Sequence, residues 1–104
     1  MELIKVYGLP NCDVTKAALK ELRQTHKLVE LIDIKQNVLT AKLLKDWFVT
    51  KGWEKLLNKR STTWKNLDED SKAKITNEDS AIEIILSHPT LLKRPVILYD
   101  GVIK

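Results

Sequence analysis

The chain is poor in the residues that build many recognisable sites. Of its 104 residues, one is cysteine and two are histidine. A single thiol excludes an internal disulfide, and one cysteine with the separated His26 and His88 has no zinc-ligand spacing. The three glycines, Gly8, Gly52 and Gly101, lie too far apart to form a glycine-rich phosphate loop. No apolar stretch approaches the roughly 18 residues of a membrane span. The opening Met1-Glu2-Leu3-Ile4-Lys5 reads as a strand carrying charges rather than a signal peptide. The formal charge of +4 comes from basic residues scattered among acids. Without a dense basic block or regularly spaced aromatics, nucleic acid is not an expected partner. There are no internal repeats, low-complexity tracts or linkers.

With 43% hydrophobic and 31% charged residues, the composition is that of an ordinary globular domain with one core. A lone thiol fits a reducing cytoplasm. Nothing calls for an obligate assembly, so a monomer with no membrane partner is expected.

The first third reads β-α-β. Residues 2–7 form a strand, Asp13 onward a helix, and Leu28 to Ile34 a second strand. On the helix, Val14, Ala18 and Leu22 recur at four-residue spacing, flanked by Ala17 and Leu19, and predict its apolar face. A unit of this length implies a right-handed crossover and a parallel strand pair. The middle is helical. Thr40 caps a helix with Leu43, Leu44, Trp47 and Phe48 on one face, ending near Gly52. A short segment carries Trp53, Leu56 and Leu57, a polar loop follows over 58–63, and Trp64 and Leu67 sit on a helical turn. Asn77 or Asp79 opens a further helix that stops at Ser87-His88, before Pro89, with Leu91 and Leu92 on a following turn. The three tryptophans are assigned to the core. Pro95 to Tyr99 is a strand, Asp100-Gly101 a hairpin turn, and Val102-Ile103-Lys104 the return. The expected architecture is one α/β domain over 1–104, with a helical insertion at about 38–88.

Cys12 stands at the strand–loop–helix junction, beside a helix N-terminus. Unpaired N–H groups and the helix dipole favour negative charge there, so a thiol is held as thiolate with its pKa lowered. Thr15, one turn along, is placed to donate its hydroxyl to the sulfur. The competing reading is a buried structural cysteine. Arg60, in a polar loop, and Arg94, just before Pro95, carry planar forks of donors suited to oxyanions and carboxylates. Either would stabilise the thiolate if it reached Cys12; otherwise each is a solvated surface arginine. Pro95, opening a strand, cannot donate to the sheet. Asn11 offers a polar contact beside the sulfur. His26 and His88 read as surface or capping groups.

Three stretches together resemble one family. Tyr7-Gly8-Leu9-Pro10-Asn11-Cys12-Asp13-Val14-Thr15-Lys16-Ala17 is similar to the opening signature of the arsenate reductase/Spx family, above all its YffB-like branch. The stretch from Trp53 to Trp64 resembles the branch's G-W-x-x-L-L-N-x-R-x-T-T-W, and that from His88 to Val96 its H-P-x-L-I-K-R-P-V. The resemblance covers essentially the whole chain. It implies a thioredoxin/glutaredoxin-like mixed sheet with an inserted helical subdomain, and members run somewhat past residue 104. It implies Cys12 as nucleophile, Thr15 supporting its thiolate, Arg60 and Arg94 directed at it, and Pro95 as a cis proline facing it. Asn11, Thr15 and Pro95 would then border the bound thiol. The branch implies a glutathione-dependent thiol reductase with no tightly bound cofactor and no metal. Glutathione or another low-molecular-weight thiol would be the co-substrate, with glutaredoxin a further partner. Arsenate reductases carry a histidine where this chain has Gly8, and a third arginine beyond residue 104. Spx-type regulators of RNA polymerase use a C-x-x-C switch, which Thr15 excludes here. Arsenate reduction and a non-enzymatic regulator therefore stand as alternatives behind a monothiol oxidoreductase.

Overall fold

The computed structural model describes residues 2–104. They divide into two units: residues up to Val38 together with Arg94–Lys104, and Leu39–Lys93.

In the first unit, alternation of apolar residues makes β1 (Leu3–Gly8) the central strand, with Ile4 and Val6 fully buried. β2 (Leu28–Asp33) lies parallel to it, with Leu3 opposite Leu28 and Gly8 opposite Asp33. β3 (Val96–Tyr99) is antiparallel on its other side, with Tyr7 opposite Val96, and β4 (Val102–Ile103) completes the order β2-β1-β3-β4. This register brings the ends of β1 and β2 and the start of β3 to one edge of the sheet. In open α/β sheets the carboxyl ends of the strands are where ligands bind. The hairpin forms as expected. Asp100 and Gly101 take φ of 50° and 85°, the left-handed values a two-residue turn needs, and Asp100 Oδ1 accepts the Leu3 N–H at 2.8 Å.

Helix α1 (Asp13–Thr25) links β1 to β2. Its buried residues are Thr15 and Leu19, while Val14 is 60% exposed. Leu19 and Leu22 of the expected face turn inward, but at its start Thr15 takes the place expected for Val14. Spacing alone favoured Val14, but the end of β1 presents a glycine to the helix, and Thr15 fills the space above it. Leu19 and Leu22 join Ile4, Val6, Val29, Leu31, Ile97 and Tyr99 in the unit's core.

The second unit is helical: α2 (Ala41–Lys51), α3 (Trp53–Leu56), α4 (Thr62–Asn66), α5 (Glu69–Ala73), α6 (Glu78–Ser87) and a 3₁₀ turn at Pro89–Leu91. Leu44, Trp47, Phe48, Ala81, Ile82, Ile85, Leu91 and Leu92 are buried. Of the three tryptophans only Trp47 is a buried residue. Trp64 is half-buried, with the Lys59 and Lys72 ammonium groups 5.6 and 5.5 Å from its ring centre. Helix α5 was not anticipated; Asp68 starts it by accepting the Ser71 N–H at 2.7 Å. Gly52, at φ 83°, ends α2. Leu57 bridges Leu92, and the Lys93 N–H donates to Leu56 O at 2.8 Å. Asn77 and Ser80 form a reciprocal capping box at the head of α6. Asn77→Ala will cost about 1 kcal/mol, read as a lower urea midpoint at unchanged slope, because an N–H of the first turn loses its acceptor.

Candidate active site

Cys12 is the N-cap residue of α1, extended at φ −85° and ψ 123°. Its N–H donates to Leu9 O at 3.1 Å, closing the loop after β1, and its carbonyl accepts the Lys16 N–H at 2.9 Å, opening the helix. Cys12 is half-buried. A structural cysteine sealed in apolar packing is therefore not what this chain has. No first-turn N–H closes a full cap hydrogen bond on the sulfur. Sulfur sits farther out than the oxygen of a usual cap, yet the same donors favour its charged form. The Thr15 N–H and then the Thr15 hydroxyl hold the thiol below its ordinary range, partial burial opposes them, and the Val14 N–H and the Arg94 guanidinium add smaller amounts. The helix terminus and Thr15 thus outweigh the arginine as the source of activation.

Thr15 is completely buried, so it acts on the sulfur and on the loop, whose Leu9 N–H it accepts at 3.5 Å, rather than on a bound molecule. Gly8 makes this possible. A β-carbon at position 8 would lie 2.5 Å from Thr15 Oγ1 and 2.7 Å from Thr15 Cγ2, far inside contact distance. Only glycine lets the first turn of α1 settle this closely on the end of β1.

Around the sulfur is a hollow of about 420 Å³ lined by Leu9, Pro10, Asn11, Cys12, Asp33, Lys35 and Arg94. That volume is in the range of small-molecule sites, roughly 300–1,000 Å³. Cys12, Asn11 and Arg94 therefore meet at one edge of the sheet. The Arg94–Pro95 peptide is cis. Arg60 belongs to the second unit; it is exposed, and its N–H donates to Asn58 Oδ1 at 3.0 Å. Two lining residues, Asp33 and Lys35, were missed by sequence reasoning. Their signal was position: charged residues at and just past the carboxyl end of a parallel strand. His26 instead stacks edge-on against Tyr99, 5.6 Å between ring centres, with Nε2 3.5 Å from Glu2 Oε1. His88 caps the end of α6. Among the described residues no cluster of histidine, cysteine and carboxylates could hold a metal ion, and no helix is long and apolar enough to cross a membrane.

Sheet and helices together define a thioredoxin-like fold, with the thiol of Cys12 at the head of α1. The model of the ArsC family matches residues 7–104, and the chain belongs to that family, one of thiol reductases. An uncharacterised protein of Haemophilus influenzae is 42% identical over 95% of this chain and 86% of its own length. An arsenate reductase of Neisseria meningitidis is 27% identical over 97% and 87%. Among solved structures, a YffB protein is 35% identical with a TM-score of 0.82 over 91% of this chain and 82% of that one. An arsenate reductase-related protein of Brucella melitensis is also 35% identical, with a TM-score of 0.75 over 98% and 84%.

Proposed function

We propose that the protein is a cytoplasmic monothiol oxidoreductase in which Cys12 forms a mixed disulfide with a small thiol, glutathione being the natural candidate. The observation that carries the reading is the half-buried Cys12 at the N-terminus of α1, its pKa lowered by Thr15, opening on a hollow with Arg94 and Lys35. The thiolate attacks one sulfur of a disulfide; the Cys12–sulfur bond forms as the old S–S bond breaks, and the leaving sulfur departs as a thiolate. Since the chain has no second cysteine, an external thiol must attack the mixed disulfide and return Cys12 to the thiolate. Arg94 would hold a carboxylate of that thiol; Asn11 would supply a polar contact at the rim, and Pro95 would border the bound chain.

Incubation with oxidised glutathione followed by intact-mass measurement tests this. One glutathionyl group is expected on the wild type and none on Cys12→Ser. A wild-type thiol that reacts no faster at neutral pH than free cysteine would overturn the proposal. Arsenate reduction is the second reading, favoured by the Neisseria relative. An assay coupling arsenate to glutathione and glutaredoxin separates the two, since turnover no greater than that of Cys12→Ser rejects it.

A further inference from the structure

We infer that Asp33 makes the Cys12 hollow selective for thiol compounds that carry an ammonium group together with a carboxylate, over purely anionic ones. This deepens the thiol–disulfide reading above and rests on it.

Asp33 is the last residue of β2 and stands opposite Gly8 in the register, at the sheet edge where the Cys12 loop leaves β1. Its place is set by the turn that follows. Oδ1 accepts the Lys35 N–H at 2.9 Å, and its carbonyl accepts the Gln36 N–H at 3.1 Å. The next side chain, Ile34, is fully buried, and the Ile34 N–H donates to Gly8 O at 3.1 Å, so the turn is anchored to the loop that carries the thiol. Asp33 itself is half-buried and lines the hollow.

Among the described residues the ion pairs are His26 with Glu2 and Lys72 with Glu69, so the Asp33 carboxylate has no cation within 4.0 Å. A carboxylate in the wall of the hollow with no ion-pair partner repels a ligand that brings negative charge alone and attracts one that also brings an ammonium group. The lining charges divide into two cations, Lys35 and Arg94, and one anion, Asp33. A ligand complements all three only if it brings negative and positive groups together, as an α-amino acid does. Its carboxylate meets Arg94 or Lys35, and its ammonium meets Asp33 in a charge-assisted hydrogen bond. Specificity then arises partly by attraction and partly by rejection of anions.

The test uses the full chain and three disulfides: cystine, which carries ammonium and carboxylate; N,N′-diacetylcystine, which carries carboxylate only; and hydroxyethyl disulfide, which carries neither charge. The rate of adduct formation on Cys12 is followed by intact mass, and each rate is divided by that of the same disulfide with free N-acetylcysteine to remove intrinsic reactivity. In each reaction the Cys12 sulfur is oxidised, one sulfur of the reagent leaves reduced, and the departing thiolate takes its proton from water. Wild type is expected to prefer cystine to the diacetyl compound by about tenfold. Asp33→Asn keeps the oxygen that accepts the Lys35 N–H and removes only the charge, and it brings that ratio close to one. Asp33→Glu retains part of the preference. A wild-type ratio near one, or a ratio that survives Asp33→Asn, overturns the inference even if hydroxyethyl disulfide labels Cys12. Failure of hydroxyethyl disulfide to label the wild type overturns the thiol–disulfide reading itself.

Discussion

Gly8→Ala will cost about 2 kcal/mol of folding stability and will also weaken the activation of a thiol four residues away. The added methyl would sit 2.5 Å from Thr15 Oγ1, 2.7 Å from Cγ2 and 3.2 Å from Cβ. Thr15 has nowhere to retreat. It is wholly buried, and branching at its β-carbon leaves few rotamers open on a helix. Relief requires the first turn of α1 to move off β1 or Thr15 to leave its rotamer, and either withdraws donors from the Cys12 sulfur. The substitution should therefore lower the urea midpoint and raise the pH midpoint of Cys12 alkylation together. A double-mutant cycle with Thr15→Ala isolates the cause. Removing Oγ1 and Cγ2 removes the worst contacts, so the two changes should couple by about 1 kcal/mol or more. Strict additivity would show that the alanine acts elsewhere.

The rate of Cys12 alkylation will rise with pH through a midpoint below that of a free thiol, about 8.5, because the native thiol pKa is lowered. Thr15→Val, which keeps the shape and deletes the hydroxyl, moves the midpoint upward but not to the free value. The Thr15 N–H is the leading cause of the shift and survives the substitution. Arg94→Ala moves it less, since the guanidinium is the last of the contributors. Folding stability follows by linkage. With the folded pKa below the unfolded one, the thiolate's contribution is fully present above the unfolded value and is lost as pH falls through the folded value. The stability of wild type relative to Cys12→Ser should thus increase as pH rises across that window and be flat beneath it. An alkylation midpoint in Thr15→Val equal to that of wild type would remove the hydroxyl from the account.

Much of this site could be read from local chemistry. Leu3 to Val14 contains a β run, a loop with Gly8 and Pro10, and then a helix, and these place Cys12 at a helix N-terminus without reference to any distant residue. The cap at Thr40 and the turn at Asp100-Gly101 were legible for the same reason, since each depends on hydrogen bonds or φ angles within four residues, whereas the helix start stayed open between Asn77 and Asp79 until the capping box decided for Asn77. Helix α5 had its own signal in Asp68 and Ser71, three residues apart with the acidic Glu69 and Asp70 between them, but it is short and lacks the apolar period that marks longer helices.

The burial of Thr15 was not legible. Apolar spacing favours Val14, and only the packing of α1 against Gly8 at the end of β1 makes a hydroxyl-bearing residue the better fit. Asp33 and Lys35 were overlooked because they lie more than twenty residues from Cys12 and approach it only once β2 pairs with β1 in register.

By itself, then, the amino-acid order determined that these 104 residues hold one thiol and that it sits where a helix begins. Those are properties of neighbouring residues and of composition. Tertiary structure alone decided which charges surround the sulfur and how closely Thr15 approaches it. Strand register and the packing of α1 on β1 bring together groups that the chain keeps apart, and no local pattern encodes the distance between them.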